Sequence, residues 1–414
     1  MKSEKEQIIA ISDALDEAAS NVNILRNIAW PTSVENEFFK NKGQKLPVIE
    51  YAPYDANPVF DAIKKARSFL GGNDIIDGWA NRIANKLESS ALLLQSRGTQ
   101  DFFRHSKNMW GCPNDILPDG ENSSLDLAQH FGALFNNVKN FDLGAPPKAC
   151  ILPSTLAGEM QKAVTEMFGD EGPKIVMDEN ISSNAIAGRR RIAINPTACF
   201  TDKDIQQLIE HEVYIHVATS INGHSQKNIK ILGAGHCGTT ETQEGLAVFS
   251  EFITGCIDLE RTRRLSDRIL AIQMAIDGGD FLDVYKYYLE KMDDEGKSFD
   301  GAKRVFRGGD VKGKAPFTKD IVYLEGLIRV QNFLSVAVAA GKFEYIDLLF
   351  CGKLDLSDIP ALRMMDEMGL IEKPKYLPHW IRDKRFLLTH LTYSSFLSGT
   401  DSSTLHNHYK SILA

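Results

Sequence analysis

The segment Ile209-Glu210-His211-Glu212-Val213-Tyr214-Ile215-His216 places two imidazoles and a carboxylate in a stretch with helical patterning. Imidazole nitrogen and carboxylate oxygen are donors that zinc takes, and a glutamate next to a histidine ligand is the general base of zinc hydrolases built on HExxH. The spacing here is HExxxH. His211 and His216 stand five apart, which on a regular helix separates them by about 140° of rotation. A π-type bulge absorbs the additional residue and brings position i+5 back over position i, so a bulge is expected between the two histidines. Taken alone, the motif leaves a second reading open, a helix with two unrelated histidines, one packed and one exposed.

A third ligand is offered by Thr240-Glu241-Thr242-Gln243-Glu244-Gly245-Leu246-Ala247, where Thr240 and Gln243 are spaced as a capping box at the start of a second helix. Glu244 follows His211 by 33 positions (244 minus 211). Two imidazoles and one carboxylate leave a coordination position for water, whose pKa falls to about 7 on zinc. Glu212 points elsewhere on the helix and is read as the base that takes that proton and returns it to a leaving amine. Glu251, a heptad beyond Glu244, is expected to be a solvated surface residue. His236 is a possible competing ligand, but Glu244 is preferred, and Cys237 beside it is read as packing.

These residues need elements to hold them. Thr201 and Asp204 resemble a capping box opening a helix over Asp204 to about Ser220, with Asn222-Gly223 as its stop. Ahead of it, short strands are expected over 149–152, 174–177 and 186–194, with a helix over 155–168. Helical patterning covers the amino end, 59–69 and 76–94, and 30–58 reads as extended chain and turns. Further helices are expected over 246–254, 258–276, 281–292, 319–340, 357–368 and 379–396. The fold class is α+β and predominantly helical, a zincin-like core with a small sheet. The chain divides into a mainly helical region 1–145, a metallopeptidase core 146–340 opening after Gly144-Ala145-Pro146-Pro147, and a helical region 341–414 packed on the core.

Gln243-Glu244-Gly245-Leu246-Ala247, HExxxH, Asn222-Gly223 with Gln226, and Phe317-Thr318-Lys319-Asp320 ahead of Tyr323-Leu324-Glu325-Gly326 together resemble the flavohaemoglobin expression-modulating QEGLA motif proteins. That family is related to the microtubule-associated tyrosine carboxypeptidases of animals. The resemblance implies one zinc ion per chain on His211, His216 and Glu244, with Glu212 serving catalysis. It also implies a carboxypeptidase acting on peptide or protein C-termini. The alternative is a regulatory zinc-binding protein on the same fold without turnover, against which an intact Glu212 speaks.

An exopeptidase needs a cation for the terminal carboxylate, and Arg304, Arg307, Lys319 and Arg189, Arg190 and Arg191 are the candidates. Tyr323 is a candidate for stabilising the oxyanion. The strand directly before the active helix, 187–194, is expected to be a sheet edge that holds substrate backbone. The net charge of -8 and the lack of a lysine and arginine block argue against a nucleic-acid partner. No signal-peptide pattern opens the chain, and no run approaches the roughly 20 consecutive apolar residues of a membrane span. A cytoplasmic protein is expected, its six scattered cysteines reduced and mostly buried. Oligomeric state is not legible.

Overall fold

The computed structural model describes residues 3–138, 141, 150–179, 181, 184–398, 404, 409 and 410. It is predominantly helical with one small sheet. At the amino end Ser3 and Glu6 cap the helix Glu4–Ser20 reciprocally, and Ile8, Ile11, Leu15 and Ala18 form its buried stripe. A helix, Thr32–Lys40, occupies part of the stretch expected to be extended. Pro31 sets the backbone ahead of its first residue, and Phe38 anchors it among Phe281, Tyr285 and Phe299. The largest apolar cluster draws on the whole length of the chain, with Leu15 and Trp79 beside Leu246, Leu334, Phe350 and Trp380.

The proposed boundary at Gly144 to Pro147 lies outside the described residues, as does Ala149. Ile151 makes only an isolated bridge with Phe200, so the strand expected there is not built. The sheet consists of β1 (Lys174–Met177), β2 (Ala185–Ala187) and β3 (Arg191–Ile194) in the order β1-β3-β2. β3 runs parallel to β1 and antiparallel to β2. The single strand expected over 186–194 is therefore a hairpin, closed where the Gly188 N–H donates to the Arg191 carbonyl at 2.9 Å. β3 is the central strand. Ile192, Ala193 and Ile194 are all buried, as a strand covered on both faces requires. The free edge beside the active helix belongs to β2, which corrects the expectation for 187–194.

The Ile151–Phe200 bridge also brings Cys150 and Cys199 to a Cα separation of 4.8 Å, where they form a disulfide. Both are exposed, and they correct the expectation of six reduced thiols. Cys112, Cys237, Cys256 and Cys351 are free and buried.

The helices Thr240–Ile253 and Val322–Ala339 cross at two glycines. A Cβ on Gly245 would stand 2.7 Å from the Gly326 Cα, and one on Gly326 would stand 2.9 Å from the Gly245 Cα. Only bare backbone fits this crossing, which sets the turn carrying Lys319 against the turn carrying Glu244. Counted by mean hydropathy, 1.4, the stretch Thr318–Ala339 is long and apolar enough to cross a membrane, contrary to the reading by consecutive apolar residues. In this fold it supplies buried Tyr323, Leu324, Gly326 and Val330 to the interior. Gly326→Ala is expected to cost roughly 1–3 kcal/mol of stability through overpacking, read as a lower Tm.

Candidate active site

One continuous helix carries the histidines, with α-helical turns over Asp202–Leu208 and Ala218–His224 and a π-helical segment, Ile209–Val217, between them. The Thr201 and Asp204 capping box forms as expected. Val213 and Val217 enter the apolar cluster beneath the sheet, while Ile215 enters the large cluster on another side. Both apolar faces of the segment are thus filled, and the widened turn brings the rings of His211 and His216 to a centroid distance of 4.8 Å. The expected bulge is present and extends through the whole motif.

Glu244 completes the group. Its Oε2 lies 3.3 Å from His211 Nε2 and 3.5 Å from His216 Nε2, and the three donor atoms are all within 4.8 Å of one another. Ligand atoms about 2.0–2.1 Å from a tetrahedral zinc are about 3.3–3.4 Å apart, so this donor set fits the ion in type and spacing. Burial opposes the charge on Glu244, but Lys319 and the two histidines outweigh it and hold the carboxyl well below its usual range. Burial likewise opposes the imidazolium of His211, yet Glu244 and Glu251 raise it to about 10. The same electrostatic pull favours a cation placed between these atoms.

Glu251, expected at the surface, is instead fully buried behind the His211 imidazole. It accepts from His211 Nδ1 at 2.7 Å, from Gln207 at 2.9 Å and from Arg261 at 3.0 and 2.9 Å. Burial would raise its pKa, but Arg261 and His211 prevail and lower it to about 2. A carboxylate on Nδ1 fixes the tautomer that leaves Nε2 free to ligate. The heptad spacing to Glu244 was the available signal; the arginine that keeps a buried glutamate charged comes from another helix, Leu259–Ile276.

The expected Thr240 and Gln243 box does not form. Gln243 Oε1 instead accepts from Thr219 Oγ1 at 2.7 Å, tying the second helix to the first one turn past His216. Glu212, also buried, accepts from the Ala187 N–H of edge strand β2 at 3.1 Å. The acid–base candidate is therefore held at an edge strand of the sheet.

Lys319 donates to Glu244 Oε1 at 3.1 Å. Tyr323 stacks on His211 with centroids 6.5 Å apart, flanked by Lys319 and by Arg268, a residue sequence reasoning missed. Arg304 lies in the same interior group, bonded to Asp320 at 2.7 Å, and Arg307 lies over Phe317. Arg189 and Arg190 sit exposed in the hairpin turn, and Arg191 pairs with Asp178 at 3.5 Å. His236 Nδ1 accepts from the Gly238 N–H, and burial lowers its pKa to about 4. Cys237 meets Ser90 and the Lys86 carbonyl. Neither belongs to the ligand group. Glu251→Gln is expected to weaken zinc affinity roughly 10- to 100-fold with the fold retained, measured by competition against a chelator.

Among curated proteins no sequence matches this chain. A family model described as microtubule-associated tyrosine carboxypeptidase matches residues 36–399. That span contains both helices, the sheet and every residue of the site, and the chain belongs to the microtubule-associated tyrosine carboxypeptidase family.

Proposed function

We propose that this protein is a zinc-dependent carboxypeptidase that removes the last residue of a peptide or protein, with one zinc per chain on His211, His216 and Glu244. The observation that carries the reading is the convergence of two Nε2 atoms and one carboxylate oxygen beside an independently held glutamate. The family name supports the reaction class, since it denotes a peptidase acting at a protein C-terminus.

When bound, zinc supplies a Lewis acid and an activated water. Glu212 accepts the proton of the attacking water and returns it to the departing amine, while the Ala187 N–H keeps its carboxylate in place. β2 offers the adjacent backbone edge along which a substrate strand can lie. On the other side of Glu244, Tyr323 and Lys319, with Arg268 behind the ring, supply the positive potential that a developing oxyanion needs. Glu251 and Arg261 orient His211 and do not meet substrate.

Glu212→Gln is expected to retain about one zinc per chain and to lose 10²–10⁴ in kcat, whereas Glu244→Ala loses the metal. Elemental analysis and peptide turnover on the same samples test this. Full turnover in Glu212→Gln would exclude it as the base.

A further inference from the structure

The disulfide between Cys150 and Cys199 has no part in the site described above, yet the chain it closes reaches that site. Both of its cysteines are exposed, whereas Cys112, Cys237, Cys256 and Cys351 are buried and free. A disulfide open to solvent can be attacked by a thiolate, and exposed disulfides are the labile ones.

The position of the pair gives such an exchange a consequence. Cys199 and Phe200 lead directly into Thr201, whose side chain accepts from the Asp204 N–H and opens the helix that carries His211 and Glu212. Cys150 and Ile151 lead into the helix Pro153–Phe168. The Ile151 N–H donates to the Phe200 carbonyl at 2.7 Å, and the Phe200 N–H donates to the Ile151 carbonyl at 3.2 Å. Phe200 is buried in one apolar cluster with Leu156, Met160 and Val164 of that helix and with Val213 and Val217 of the π segment. The disulfide and the bridge therefore staple together the starts of two helices that share a core at the widened turn.

The cysteines are 49 positions apart, and the chain between them holds the helix Pro153–Phe168 and all three strands. That loop includes Ala187 of β2, whose N–H holds the Glu212 carboxylate at 3.1 Å. His211, His216 and Glu244 lie outside it, on the π segment and the helix Thr240–Ile253. Breaking a cross-link returns conformational freedom to the loop it closed. We propose that the Cys150–Cys199 disulfide is a redox latch on the strand that holds Glu212. Closed, it keeps β2 against the active helix. Opened by a low-molecular-weight thiol, it lets that strand loosen, so turnover falls while the three candidate ligands stay together.

In the exchange a thiolate attacks one exposed sulfur, the sulfur–sulfur bond breaks, and the other cysteine leaves as a thiolate that takes up a proton. A second thiol attacks the mixed disulfide and releases the first cysteine in the same way. Two electrons pass to the protein, which gains two cysteine thiols, and the small thiols end as their own disulfide.

The effect on turnover rests on the zinc peptidase reading, and the test separates the two. Zinc-loaded wild type and a variant with both Cys150→Ser and Cys199→Ser are equilibrated in glutathione buffers from oxidising to reducing. Thiols are counted by alkylation and mass spectrometry, zinc by elemental analysis, and peptide turnover and hydrogen exchange of the Ala187 amide are followed on the same samples. On reduction the wild type is expected to gain the thiols of Cys150 and Cys199, keep its zinc, exchange faster at Ala187 and lose roughly 10- to 100-fold in kcat. The double variant is expected to show the low kcat and the fast exchange in every buffer. The latch would be overturned by a wild type that forms no disulfide in any buffer, by reduced protein that matches the oxidised protein in kcat and exchange, or by a double variant that still responds to glutathione. An oxidised wild type that holds no zinc and cleaves no peptide would overturn the peptidase reading, and the latch would then stand or fall on the Ala187 exchange alone.

Discussion

Two histidines five positions apart reach one ion only if the helix between them widens, and the rest of the site depends on keeping it wide. A π segment has no strong intrinsic preference to persist, so tertiary contacts must hold it. Val213 and Val217 enter one apolar cluster and Ile215 another, so narrowing the turn would strip at least one of them from its core. Thr219 bonds both the Ile215 carbonyl and Gln243, which closes the exit of the segment and joins it to the helix carrying Glu244. Gly245 and Gly326 then allow that helix to lie directly on the one carrying Tyr323.

Charge is distributed around this frame in opposed layers. Glu251 and Arg261 behind His211 form a buried pair with several additional hydrogen bonds, the arrangement in which burial of charge is tolerable. Glu244 carries Lys319 on one oxygen and faces the histidines with the other. Farther along the helix, Glu210 accepts from Ser250, which in turn accepts from Trp380, and burial raises Glu210 to about 7. The carboxyl-terminal region is thereby fixed to both helices that carry the candidate ligands, and Asn222 and Gln226 fix it again at Phe350, Cys351, Glu372 and Tyr376.

Much of this was legible in the residues because the signals were local. The off-register HExxxH demanded a bulge, the Thr201 box marked the helix start, and the strand over 174–177 and helix over 281–292 agree with the structure to the residue. What local reading missed was decided by partners distant in sequence. Glu251 looked like a surface residue because Arg261, which neutralises it, lies on another helix. Asn222-Gly223 looked like a helix stop, but the helix continues through His224 because the Asn222 amide is committed to the carboxyl-terminal segment and Gly223 lies beneath Leu232. The hairpin within 185–194 was hidden because β3 is covered on both faces and shows no alternation.

The central claim is that the widened helix delivers both histidines to one ion with Glu244. X-ray absorption at the zinc edge of protein loaded with one equivalent of zinc tests it most directly. The account predicts two imidazole nitrogens and one carboxylate oxygen at about 2.0–2.2 Å, with one imidazole lost in His216→Ala. A shell with a single imidazole, or with a sulfur scatterer near about 2.3 Å, would contradict it.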